Sequence, residues 1–168
     1  EHRIPARSLE LEITERAVLE DPEEAAAALR RLADVGVRLS LDDFGSGMSS
    51  LGRLRDLPFD QLKIDRTFIA GIQADDRDLQ ITRSAIDLGH SLDLAVVAEG
   101  LESPADWHRL AALGCDAAQG FALSQPLPAD ELEAWLYSRV RRAGEEPQGP
   151  RGVEAPREDH GELDEPQA

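Results

Sequence analysis

One cysteine, one lysine and one methionine are all that this 168-residue chain carries of those three types. The lone Cys115 excludes an internal disulfide framework and fits a reducing compartment. Its expected role is a small apolar residue at a strand start. No apolar run approaches the roughly 18 residues of a membrane span, and no charged-then-apolar leader opens the chain. A cytoplasmic protein is expected, with membrane tethering left to any segment upstream of Glu1. Basic charge is scarce as well: the formal net charge is -16. Duplex DNA or RNA is therefore an unsuitable partner, because phosphate contacts need Lys and Arg. An anionic ligand would need metal cations to neutralise its site. Against 17 arginines, the single Lys63 marks a position where a compact ammonium is wanted instead of a guanidinium.

What is present alternates between strand and helix signals over residues 1–142. Ser8–Ile13 alternates apolar and polar residues, as a strand does. Asp21-Pro22-Glu23-Glu24 opens a helix, with Asp21 as N-cap and Pro22 at the first helical position. Ala25, Leu29, Leu32 and Val35 share one face, and Gly36 ends it. Val37–Asp42 reads as a strand, Ser49–Leu57 as a short helix stopped by Pro58, and Gln61–Asp65 as a third strand. Asp76–Leu92 is a helix, Leu94–Ala98 a buried parallel strand, and Ser103-Pro104-Ala105-Asp106 a second helix cap. Ala117–Phe121 is the fifth strand, and Leu132, Trp135, Leu136 and Val140 mark a last amphipathic helix. Strands joined by helix-length connections imply parallel βα units. Residues 143–168 hold four prolines and eight acids with almost nothing to bury, and a disordered acidic tail is expected there.

Side-chain parity along the strands gathers the chemistry. Alternation places Leu9, Leu11 and Ile13 on one side and Glu10, Glu12 and Thr14 on the other. The same rule separates Leu39 and Leu41 from Asp42, and Leu62 and Ile64 from Lys63 and Asp65. If the leucine and isoleucine faces are covered by helices, Glu12, Asp42, Lys63, Glu99 and Gln119 point inward at the C-terminal ends of successive strands. That rim is where barrel enzymes carry their chemistry. Three carboxylates converging there need a counter-ion, and Mg²⁺ or Mn²⁺ with oxygen ligands is the natural match. The adjacent pair Asp42-Asp43 is suited to touching two metals.

At these residues the sequence resembles the EAL phosphodiesterase family. The resemblance rests on Leu11-Glu12-Ile13-Thr14-Glu15, on Asp42-Asp43-Phe44-Gly45-Ser46-Gly47-Met48-Ser49-Ser50-Leu51, on Lys63-Ile64-Asp65, on Ala98-Glu99-Gly100-Leu101-Glu102 and on Gln119-Gly120-Phe121, in that order across residues 9–128. It implies a modified (β/α) barrel of TIM type that cuts cyclic di-GMP to the linear dinucleotide with two Mg²⁺ or Mn²⁺ ions. Glu12, Asp42, Asp43 and Glu99 match metal ligands, with Asp42 shared between the cations. Lys63 matches the lysine that orients the attacking water, and Gln119 a residue bonded around that water. Glu15 matches a glutamate that holds the loop after the Asp-Asp pair, and Glu102 one that braces the substrate side. Asp65 is expected to position Lys63. The loop Phe44, Gly45, Ser46, Gly47 and onward to Ser50 is expected to couple the metal site to a homodimer contact.

The departures from the family pattern are specific. No Glu-Ala-Leu tripeptide and no Asn occur in the sequence, so a metal-binding glutamate, the substrate arginine near it and a metal-binding Asn are absent from these residues. The first strands of the barrel are thus expected upstream of Glu1, together with any sensory or cyclase domain, and residues 1–168 alone are expected to be inactive. Ser46, Met48 and Gln125 stand where Thr, an aromatic and a basic residue are usual. The alternative to a phosphodiesterase is a non-catalytic cyclic-di-GMP receptor or a degenerate signalling and dimerisation module. His2, His90, His108 and His160 match no ligand spacing, and Trp107 and Trp135 are expected to pack.

Overall fold

The computed structural model describes residues 4–45 and 54–144, the last six by backbone alone. Five parallel strands form one sheet: β1 (Glu10–Thr14), β2 (Arg38–Phe44), β3 (Gln61–Ile64), β4 (Ala95–Ala98) and β5 (Ala117–Ala118). Their spatial order is β1-β2-β3-β4-β5, so each strand pairs with its successor in the sequence. A doubly wound sheet reverses its strand order, whereas an unbroken progression of parallel neighbours is the arc of a (β/α) barrel. The α/β barrel expectation is borne out.

Helices connect the strands. They are α1 (Glu15–Glu20), α2 (Pro22–Val35), α3 (Arg66–Ala70), α4 (Asp76–Ser91) and α5 (Pro104–Ala112). Local chemistry sets their ends. Asp21 accepts a hydrogen bond from the Glu24 N–H at 3.1 Å, and Pro22 follows where no intrahelical donor is needed. Ser103 and Asp106 cap α5 reciprocally, side chain to backbone in both directions. Gly36 ends α2 in the left-handed region at φ 88°, a conformation that costs an L side chain strain.

The core lies between the sheet and these helices. Leu39, Leu41, Leu62, Ile64 and Val96 are fully buried, and Ile86 of α4 and Leu110 of α5 pack over them. Each such side chain contributes about 1.5–3 kcal/mol by leaving water. Cys115 is buried just ahead of β5, as expected, and burial pushes its thiol up. At the N-terminal end of the sheet, acids complete the ladder. Asp60 and Asp116 each stand directly before a strand, and their carboxylates accept the N–H of Leu39 (2.8 Å) and Val96 (2.7 Å) on the preceding strand. These two carboxylates are committed to structure.

Several expectations are corrected. Ser8 belongs to a single 3₁₀ turn (Ala6–Ser8), so β1 begins at Glu10. Helix α1 was not anticipated, since Glu15–Glu20 follows its strand with no punctuating Gly or Pro. Val35 is 68% exposed and lies off the packing face of α2. Asp65 is the N-cap of α3 instead of a strand residue. The fifth strand stops after Ala118, because Gly120 comes against Leu101 so closely that a β-carbon there would lie 2.2 Å from the Leu101 nitrogen. The compact unit that contains the sheet runs to Gln125. Beyond it, α6 (Ala129–Gly144) has Asp130 and Glu131 in its first turn, which suits the helix dipole. Its Leu132 and Leu136 are exposed, against expectation, and Trp135 is half-buried.

Ser46, Gly47, Met48 and most of the expected Ser49–Leu57 helix lie outside the described residues, as do His2, His160 and 145–168. Among the described residues no helix is long and apolar enough to cross a membrane.

Candidate metal centre

The C-terminal ends of β1 to β4 bring four of the expected charged side chains onto one centre. Lys63 is the anchor. Its side chain is only 2% exposed, and its Nζ lies 2.6 Å from Glu12 Oε1, 2.5 Å from Glu99 Oε1 and 3.7 Å from Asp42 Oδ1. Burial alone would depress its pKa, but the hydrogen bonds to Glu12 and Glu99 outweigh this and hold it above the ordinary lysine value. Burial pushes Glu99 above the usual carboxylate range against the pull of Lys63. Gln119, just past β5, donates its amide to Glu99 Oε1 at 2.8 Å, the same oxygen that Lys63 holds.

Strict alternation would put Asp42 and Asp43 on opposite faces of β2. The backbone breaks it. Asp43 has φ 56°, a left-handed conformation that Asp tolerates better than most residues, and the pairing of β2 with β3 shifts register between Leu41 and Phe44. That irregularity carries both carboxylates to the same side. One oxygen each from Asp42, Asp43 and Glu99 lie within 4.8 Å of one another. Strain of about 1–3 kcal/mol is typical for such a backbone and tends to persist where function over-determines it.

The donor set fits a hard divalent cation. All three groups are carboxylates, and Asp42 Oδ1 is buried with no hydrogen-bond partner among the described residues. A buried carboxylate oxygen without a hydrogen bond is costly, and with Lys63 no nearer than 3.7 Å a bound cation would satisfy it. Glu12 stands apart from this trio, engaged with Lys63 and half exposed.

The remaining expected residues are placed as follows. Glu15 is buried, and its Oε2 accepts the N–H of Gly45, the residue after Phe44, at 3.4 Å. Phe44 closes β2 in the core, and Gly45 at φ 97° lies directly against Phe68. Asp65 has no described bond to Lys63. Its carboxylate accepts from the Thr67 N–H (2.7 Å) and hydroxyl (2.6 Å) at the start of α3. Burial opposes ionisation there, but these bonds prevail and hold Asp65 below the ordinary value. Asp43 shares a hydrogen bond with Asp65, and burial together with the Asp42 and Asp65 charges pushes Asp43 up. The Asp43–Asp65 pairing was missed in the sequence; two acids ending neighbouring strands were the available signal. Glu102 is exposed, one residue before the cap of α5. His90 and His108 sit on exposed helix faces; His90 pairs with Asp116 at 2.9 Å. Trp107 packs against the core.

The family model of the EAL domain matches residues 1–126. The cyclic di-GMP phosphodiesterase NbdA of Pseudomonas aeruginosa is 46% identical over 128 residues, which is 76% of this chain and 16% of that protein. Among solved structures, the PaMucR phosphodiesterase in complex with c-di-GMP superposes with a TM-score of 0.75 at 42% identity, covering 78% of this chain and 53% of that one. The manganese and cyclic-di-GMP complex of Klebsiella pneumoniae BlrP1 gives 0.68 at 30% identity, over 73% of this chain and 31% of that one. The chain thus spans about half or less of the proteins it matches.

Proposed function

The chain belongs to the EAL domain family, and we propose that it supplies the metal-binding and water-orienting part of a phosphodiesterase site that opens cyclic di-GMP to linear pGpG. The observation that carries this reading is the convergence of Asp42, Asp43 and Glu99 beside the buried ammonium of Lys63. Asp42, Asp43 and Glu99, joined by Glu12, would hold two Mg²⁺ or Mn²⁺ ions. Such ions, when bound, polarise a phosphodiester and lower the pKa of water. They also explain how a chain of net charge -16 accepts an anionic dinucleotide.

The protein residues divide the remaining work. Lys63 keeps its proton near neutral pH, since its pKa is raised, so it does not act as a base. Its role is to donate a hydrogen bond to the incoming water and to offset negative charge as the water oxygen adds to phosphorus and the P–O bond to the leaving ribose oxygen breaks. Gln119 and Lys63 together fix Glu99, and Glu15 holds the backbone at Gly45 so that the Asp42-Asp43 turn stays in place. Glu102 borders the substrate side. A receptor that only binds the dinucleotide has no use for a buried ammonium aimed at the metal ligands, which favours the enzyme reading. With it goes a cytoplasmic homodimer whose Phe44–Gly47 loop links metal site and dimer contact, under the control of a sensory or cyclase domain.

The test is Lys63→Arg in the protein that carries this chain. A planar guanidinium does not fit where Nζ lies within 2.6 Å of both Glu12 and Glu99. Turnover of cyclic di-GMP with Mn²⁺ is expected to fall by about two orders of magnitude or more with KM little changed. Retained turnover would remove Lys63 from the chemical step.

A further inference from the structure

We propose that Arg66 is a substrate-contacting residue whose guanidinium takes a non-bridging phosphate oxygen of the dinucleotide at the edge of the site; this rests on the phosphodiesterase reading above. The argument begins with position. Arg66 is the first residue of α3, directly after Asp65, whose carboxylate is bonded to Asp43. On its other side lies Gly100, the residue after Glu99. A β-carbon on Gly100 would stand 2.5 Å from Arg66 Cβ, 3.3 Å from its Cα and 3.7 Å from its Cγ. The arginine stem therefore leaves the backbone between two of the converging carboxylates, and Gly100 is the residue that makes room for it.

Charge supplies the second step. Glu12, Asp42, Asp43, Asp65 and Glu99 surround the site, and the cation that the described residues place inside it is already engaged. Lys63 is buried and held by Glu12 and Glu99, so it does not reach outward to a ligand arriving from solvent. An anionic phosphodiester needs a solvent-reachable cation at the rim. Arg66 is exposed. Among the described residues, Arg16, Arg38 and Arg55 are paired with Glu20, Glu10 and Asp56, and Arg109 with Gln73. Like Arg7, Arg30, Arg31, Arg77 and Arg83, Arg66 has no described hydrogen bond or ion pair for its guanidinium, but it alone of these stands beside the site, where its charge helps to lower the Asp65 pKa. A forked, permanently charged donor matches the two non-bridging oxygens of a phosphodiester better than an ammonium does.

The experiment compares steady-state cleavage of cyclic di-GMP with Mn²⁺ by wild type, Arg66→Met and Arg66→Lys, with melting temperature as the control for folding. Methionine keeps a stem against Gly100 and removes the charge; lysine keeps the charge and loses the fork. The proposal expects kcat/KM to drop roughly tenfold in Arg66→Met, the loss due to one charge-assisted hydrogen bond. It expects partial recovery in Arg66→Lys, and a weaker dependence on ionic strength in the Met variant than in wild type. An Arg66→Met protein within twofold of wild type, or a lysine variant no better than methionine, overturns the proposal. Wild-type protein that neither cleaves nor binds cyclic di-GMP overturns the underlying phosphodiesterase reading instead, and the two failures are distinct.

Discussion

Replacing Lys63 by methionine should destabilise the metal-free protein and make its stability rise on acidification. The substitution keeps most of the stem volume and deletes the charge. Glu12, Asp42 and Glu99, which lie 2.6, 3.7 and 2.5 Å from Nζ, then face one another without a cation. Removing one partner of a buried ion pair costs about 3–5 kcal/mol. Water reaches half of Glu12 and relieves part of that repulsion, so the low end, about 3 kcal/mol, is expected. For a unit the size of Glu1–Gln125 this is a drop in Tm of roughly 10 °C. The pH dependence follows from two shifts. Lys63 has a raised folded pKa, so its contribution is complete below the unfolded lysine value and is lost only as pH climbs through the folded one. Near neutral pH the lysine itself therefore adds no slope. Glu99 is raised by burial even with Lys63 beside it, and without the lysine it rises further. A group raised in this way destabilises the fold once it ionises, so the variant regains stability as pH falls through the folded value of Glu99. Melting curves in EDTA across a pH series read both effects, and added Mn²⁺ should narrow the gap to wild type by replacing the lost positive charge. Equal melting temperatures at neutral pH, or a gap that does not shrink in acid, would refute the reasoning.

Two further perturbations test the frame that holds the site. Asp116→Ala removes the acceptor for the Val96 N–H and for His90, at an expected cost of about 1–2 kcal/mol at neutral pH. The Val96 and His90 hydrogen bonds lower the Asp116 pKa, so this contribution is present above the ordinary aspartate value and fades as pH falls through the folded one; denaturant melts showing no loss at pH 7 would count against it. Gly45→Ala places a methyl 2.7 Å from Phe68 Cε2 on a backbone at φ 97°. It should cost about 1–3 kcal/mol and reduce turnover by displacing the Asp42-Asp43 turn, whereas unchanged melting and activity would show that the turn is not strained.

Much of this site was legible in the sequence because period-two alternation is a local rule. It put Glu12, Asp42 and Lys63 on one face of their strands, and the caps at Asp21 and Ser103 follow from four-residue windows. What escaped depends on contacts between distant segments or on broken alternation. Asp43 joins Asp42 only through the left-handed turn and register shift against β3, which no pattern in Leu41–Phe44 announces. Asp65 looks like a partner for Lys63 two residues away, yet Thr67 offers it an N–H and a hydroxyl, and capping α3 wins. The fifth strand looks five residues long in Ala117–Phe121, but the approach of Gly120 to Leu101 ends it after two.

The central claim is that Asp42, Asp43 and Glu99 form a cation site that serves phosphodiester hydrolysis. It is tested most directly by titrating Mn²⁺ calorimetrically into wild type and Asp42→Asn while following cyclic di-GMP and linear dinucleotide by chromatography. Asp42 Oδ1 is the oxygen of the trio that is buried without a hydrogen bond among the described residues. The account predicts that Asp42→Asn weakens Mn²⁺ binding by about tenfold or more and abolishes the linear product, with melting in EDTA unchanged or raised because one repelling charge is gone. Unchanged Mn²⁺ affinity in the variant, together with a lowered melting temperature, would contradict it and leave Asp42 a structural acid.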